Sequence, residues 1–168
     1  KDLNLKWIGQ QIMKKNKLVQ AAALSTITVG TIYAINKTIS IFANAGAALS
    51  NPKGLQFQWR FCNIFYTKQG EGKPILLIHD LTCGSSDLEW KSIVNTYAKD
   101  HTVYTIDLLG CGRSDKPAMT YTNYMYVQLI SDFIKNVIGH RTDVCVTGSS
   151  CSMVLMACFN DDTLFDKI

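Results

Sequence analysis

From residue 75 onward, short apolar runs of strand length alternate with longer stretches of helical period, and that alternation leaves few folds open. Ile75-Leu76-Leu77-Ile78, Thr102 to Ile106 and Asp143 to Thr147 are the runs. A strand covered on both faces reads as continuously apolar, because neither side of its pleat meets water. Between the runs, Leu88 to Lys99 carries Trp90, Ile93, Val94 and Tyr97 at helical spacing. Tyr121 to Ile138 does the same through Tyr124, Val127, Ile130, Ile134 and Val137, and Met153 to Phe159 follows the last run as a further helix. Strand, helix, strand, helix in this order predicts an α/β domain, a mostly parallel sheet with helices on its faces. Upstream, Gln56 to Tyr66 alternates aromatic and polar residues, which predicts one half-buried strand near a sheet edge. With 47% hydrophobic and 18% charged residues, the chain has the composition to build a core. Its 168 residues fit one domain plus an appendage.

The appendage is the N-terminal part. Lys1, Lys6, Lys14, Lys15 and Lys17 crowd residues 1–17 against the single acid Asp2. The basic cluster stops at an uncharged eighteen-residue run, Leu18 to Ile35. As a helix that run would cover roughly 27 Å, enough for a hydrocarbon core. The lysines in front of it, against Lys37 alone close behind, predict a cytoplasmic N-terminus with the rest outside. The expected layout is therefore a basic lead at 1–17, a single-pass anchor at 18–36, a stalk or helix at 37–54 and the domain at 55–168, in a bacterial envelope. Two alternatives stay open: a cleaved signal peptide, with Ala43-Asn44-Ala45 as a small-x-small site, and a helix lying on the domain or in the membrane interface.

The formal charge of +4 comes from that lead and not from a basic face interleaved with aromatics, so nucleic acid is not an expected partner. Six cysteines show no Cys-x-x-Cys and no Cys/His cluster at ligand spacing, which predicts packed thiols and neither a metal site nor a disulfide framework. No cofactor is expected. Gly70-Glu71-Gly72-Lys73-Pro74 is not a phosphate loop, because it precedes a strand and ends in proline.

Three loops carry the chemistry, each at the carboxyl end of a predicted strand. The first is Thr147-Gly148-Ser149-Ser150-Cys151-Ser152, a turn from strand to helix. A serine held at the apex of so sharp a turn needs small residues two before and two after it, since side chains there collide as the chain doubles back. Centring on Ser150 sets Gly148 and Ser152 at the flanks; centring on Ser149 sets Thr147 and Cys151 there, and centring on Cys151 brings in the bulk of Met153. Ser150 fits best, although a plain polar turn before a helix would read similarly. The second loop is Asp107-Leu108-Leu109-Gly110-Cys111-Gly112-Arg113-Ser114-Asp115-Lys116-Pro117, whose Gly110 and Gly112 permit a tight turn. The third is Ile78-His79-Asp80-Leu81.

Taken together these loops resemble the nucleophile elbow, the Asp-x-x-Gly-x-Gly-x-Ser turn and the His-Gly-x oxyanion loop of the α/β-hydrolase family, over roughly residues 57–168. The resemblance implies that Ser150 is a nucleophile and that the backbone N–H groups of Leu81 and Cys151 hold the oxyanion. It also implies that His79, Gly148, Ser152, Asp107, Gly110 and Gly112 shape the loops. Asp80 stands where the family has glycine, and Ser152 stands in place of the second elbow glycine. In that family the acid and the histidine follow the nucleophile, yet eighteen residues follow Ser150 and none is histidine. The chain starts without methionine and ends as a further apolar strand begins, so it reads as part of a longer protein. The expected function is a membrane-anchored serine hydrolase taking a small ester or acyl substrate, this stretch alone being inactive. The alternative is a membrane-tethered binding or signalling module that kept the fold and lost the chemistry.

Overall fold

The computed structural model describes residues 28–39, 41, 49, 54–82 and 84–168. The basic lead, the first ten residues of the apolar run and most of the stalk lie outside these. The chain divides into two units, Lys1–Ser50 and Asn51–Ile168. In the first, residues 28–39 are helical, with Val29, Ile32, Tyr33, Ile35 and Ile39 exposed. Among the described residues no helix is long and apolar enough to cross a membrane.

The second unit is built on five strands: β1 (Leu55–Trp59), β2 (Cys62–Gln69), β3 (Lys73–Ile78), β4 (His101–Ile106) and β5 (Asp143–Val146). Their order across the sheet is β1-β2-β4-β3-β5. β3 pairs in parallel with β4 on one side and β5 on the other, while β1 and β2, and β2 and β4, pair antiparallel. The sheet is therefore mixed, where the sequence predicts a mostly parallel one. The difference arises at Gln56 to Tyr66. Instead of one strand, these residues form a hairpin in which Trp59 opposes Cys62 and the two loop residues are Arg60 and Phe61. Arg60 takes the left-handed conformation that tight hairpins demand, at φ 54°. No glycine or asparagine marks the turn, so the sequence hides it.

Helices cover both faces. A 3-10 turn (Asp87–Trp90) leads into α1 (Lys91–Tyr97) between β3 and β4. Between β4 and β5 lies α2 (Asn123–Phe133), capped by the Thr122 hydroxyl and extended by one π turn (Ile134–Ile138) to Gly139 at φ 75°. After β5 comes α3 (Ser150–Asn160). The alternation within β3 divides the core. Leu76 and Ile78 join Ile64, Tyr104, Ile106, α2 and α3 in the larger cluster, while Ile75 and Leu77 meet Val103, Trp90 and α1. The chain end continues this order: Phe165 makes a parallel bridge to Thr142 beside β5.

Phe133 is fully buried at the centre of the larger cluster, with ring centroids 5.8, 5.2 and 6.4 Å from those of Phe57, Tyr66 and Tyr104. It joins α2 to β1, β2 and β4 at once. Phe133→Ala is expected to cost about 3–5 kcal/mol, the range for truncating a core phenylalanine, as read by urea unfolding.

Candidate active site

The parallel strands bring their carboxyl ends to one edge. The chain passes from β3 to β4 on one side, then crosses β3 to reach β5 on the other, so a crevice opens beside the end of β3. Ligands of open α/β sheets bind at such a switch point. The three loops singled out from the sequence all start here.

Two of them form a polar framework beneath the edge. The Asp107 carboxylate is wholly buried; it accepts the Asp87 N–H at 2.7 Å and, on its other oxygen, the Arg113 N–H at 2.8 Å and Nε at 3.0 Å. Arg113 also pairs with Asp87 and lies with its guanidinium 4.0 Å from the Phe65 ring centroid. Burial, then the neighbouring Asp107 charge, pushes the Asp87 carboxyl above its ordinary range, and Arg113 opposes that shift. Gly112, at φ +47°, passes so close to Asp107 that a Cβ there would lie 2.2 Å from Oδ2. Gly110, at φ +85°, donates its N–H to Asp115 and faces the Tyr121 ring.

His79 is also wholly buried. Its Nε2 accepts the Leu108 N–H at 2.9 Å, so the proton sits on Nδ1, which donates to the Asp80 carbonyl at 2.6 Å. Both ring nitrogens are thereby bonded to backbone groups, and they join the β3 loop to the end of β4.

At the edge itself the β5 turn differs from expectation. The left-handed residue is Gly148, at φ +60°, whereas Ser149 already has φ −66° and Ser150 opens α3. The apex of the turn therefore falls two residues before Ser150. Ser150 is fully buried and its Oγ donates to the His79 carbonyl at 2.7 Å. The Cys151 N–H, which the resemblance implies as an oxyanion donor, bonds within the turn to the Gly148 carbonyl at 3.2 Å. Ser152 lies one residue further into the helix, exposed, with its hydroxyl on the Ser149 carbonyl.

Ser149, the less well flanked candidate in the sequence, is exposed as well. Its N–H and its hydroxyl both donate to Asp80 Oδ1 at 2.7 Å, and the Leu81 N–H reaches the same oxygen at 2.8 Å. The Leu81 and Ser149 N–H groups thus converge on one oxygen atom. These donors, the Ser149 hydroxyl and N–H foremost, hold the Asp80 carboxyl below the ordinary carboxylate range. Glu89 closes the cluster, its Oε2 accepting from the Asp80 N–H at 3.2 Å and the Thr147 hydroxyl at 3.0 Å. Glu89 has no motif around it; only the packing of the 3-10 turn brings it here. Among the described residues no group of three or more His, Cys, Asp or Glu side chains is placed to hold a metal ion.

Two outcomes follow from this geometry. Ser150→Ala removes the donor to a buried carbonyl and is expected to cost about 1 kcal/mol in urea unfolding, the ordinary worth of such a bond. An acid whose folded pKa is lowered contributes stability above its unfolded pKa and loses it as pH falls through the folded one. The Asp80 carboxyl carbon, followed by NMR, is expected to titrate at lower pH than an aspartate in an unfolded peptide, and its share of stability to disappear across that acid interval.

The architecture has clear relatives. The model of the alpha/beta hydrolase family matches residues 75–165. The 2-hydroxy-6-oxo-6-(2'-aminophenyl)hexa-2,4-dienoic acid hydrolase of Metapseudomonas resinovorans is 34% identical over 86 residues, covering 51% of this chain and 29% of that one. An uncharacterised protein of Mycobacterium bovis is 33% identical over 78 residues, 42% of this chain and 22% of its own length. An alpha/beta hydrolase fold protein from Burkholderia ambifaria superposes with a TM-score of 0.63 at 26% identity, over 68% of this chain and 42% of that one. A meta-cleavage product hydrolase from Pseudomonas fluorescens gives 0.63 at 20% identity, over 67% and 42%, a likeness of fold alone. The chain thus spans less than half the length of each of these proteins. With the sheet order, the edge loops and the family match in agreement, this chain belongs to the alpha/beta hydrolase family.

Proposed function

We propose that the full-length protein is a hydrolase acting on a small acyl or carbonyl compound at the carboxyl edge of β3 and β5. The observation that carries this reading is the convergence of the Leu81 and Ser149 N–H groups on a single oxygen atom. Two backbone donors aimed at one point are what a developing oxyanion needs. Esters, other acyl compounds and carbon–carbon bonds next to a carbonyl all generate that charge; the Metapseudomonas relative is named as the hydrolase of a 6-oxo-hexadienoic acid, a carbonyl compound. Ser150 is the proposed nucleophile on the strength of its Gly-x-Ser-x-Ser spelling. For attack its Oγ must leave the His79 carbonyl and the apex of the turn must shift towards it. A histidine and an acid beyond Ile168 would complete the triad, because a serine without a base is a weak nucleophile. Tethering to a membrane through residues 18–36 is part of the proposal and rests on the lysine-flanked apolar run.

A second reading, a binding or signalling module without catalysis, is favoured by one specific observation: the apex residue is Gly148, which has no side chain to attack with. Fluorophosphonate labelling of the full-length protein, with peptide mapping, separates the two. The expected result is slow labelling on Ser150 that disappears in Ser150→Ala. A folded protein that takes no label would support the module, and a label on Ser149 would move the nucleophile by one residue.

A further inference from the structure

We propose that Asp80 is a resident occupant of the oxyanion cradle, a side chain that keeps the site closed to substrate oxygens until it withdraws. The geometry is specific. One carboxylate oxygen, Oδ1, accepts the Leu81 N–H, the Ser149 N–H and the Ser149 hydroxyl, the first two being the backbone donors that an acyl oxyanion would use. A carboxylate oxygen and a tetrahedral oxyanion carry similar charge and lone pairs, so the two compete for the same donors and cannot share them. The loop is also held from behind: the Asp80 N–H donates to Glu89, and the Asp80 carbonyl accepts a hydrogen bond from Nδ1 of buried His79.

Gly148 completes the device. A Cβ built at this position would lie 2.1 Å from Asp80 Cγ, 2.2 Å from Oδ1 and 2.4 Å from Oδ2. The carboxylate thus fills the volume that a side chain at the apex would need. As placed, the Asp80 carboxylate and a side chain at 148 compete for one volume. Glycine at 148 is what admits Asp80, and Asp80 is what neutralises the donors that the bare apex leaves behind. The occupancy itself stands on these contacts alone; its effect on acyl chemistry rests on the hydrolase reading.

Two measurements on the full-length protein test this, and they fail separately. In the first, amide hydrogen exchange is followed at Leu81 and Ser149. Asp80→Gly is expected to speed exchange at both amides while neighbouring α3 amides keep their protection. Unchanged exchange at both would overturn the occupancy. Stability gives the parallel readout. Gly148→Ala is expected to lower the melting temperature, and Asp80→Gly to recover part of that loss in the double variant, the remainder belonging to alanine at positive φ. Additive single effects would overturn the pair. In the second measurement, fluorophosphonate labelling of Asp80→Gly is expected to run roughly tenfold or more faster than in the unchanged protein, as the cradle's donors become available. Equal, measurable rates in both would overturn the proposed closure. If neither protein takes the label while exchange and coupling behave as expected, the occupancy stands and the hydrolase reading falls.

Discussion

Everything at the functional edge depends on β3 being buried on both faces. Leu76, Leu77 and Ile78 are wholly shielded from water and Ile75 nearly so, with alternate residues facing α2 and α3 on one side and Trp90 and α1 on the other. At about 1.5–3 kcal/mol for each such side chain, these four residues set the strand's place in the sheet far more firmly than any surface interaction does. Because the side-chain period is two, a slip of one residue would exchange the two core faces wholesale. The register with β4 and β5 is thus pinned, and with it the point at which His79, Asp80 and Leu81 emerge.

Beyond the hydrophobic strand, the edge is organised by buried polar groups that have no freedom to do anything else. Asp107 gathers Asp87 and Arg113, and His79 uses both ring nitrogens on backbone groups. A buried polar group left without partners is expensive, so such networks hold one conformation. With the Ser150 hydroxyl tying the β5 turn to the His79 carbonyl, the N–H groups of Leu81 and Ser149 meet at one point. The chemistry available there then turns on what fills that point. In this arrangement the occupant belongs to the protein itself.

Much of this was legible in the sequence for physical reasons. Buried strands must be apolar throughout, helices on a sheet must carry one apolar stripe, and tight turns at strand ends must spend glycines; Ile75 to Ile78, Val127 to Val137 and Gly110 with Gly112 obey these rules openly. The hairpin at Arg60 and Phe61 did not announce itself, because its strained residue is an arginine held by the pairing on either side. Glu89 was equally silent, since its role depends on a 3-10 turn folding back against β5.

The serines show where the division lies. A run of Gly148, Ser149, Ser150, Cys151 and Ser152 determined by itself that a sharp turn joins β5 to α3, for only small residues tolerate that reversal. Which of them sits at the apex was decided by the tertiary structure. Apolar packing of Met153, Val154 and Ala157 seats the helix, and the register of β5 on β3 fixes where the strand ends. Between those two constraints the left-handed conformation falls on Gly148, Ser150 turns inward to a backbone carbonyl, and Asp80 takes the space that remains.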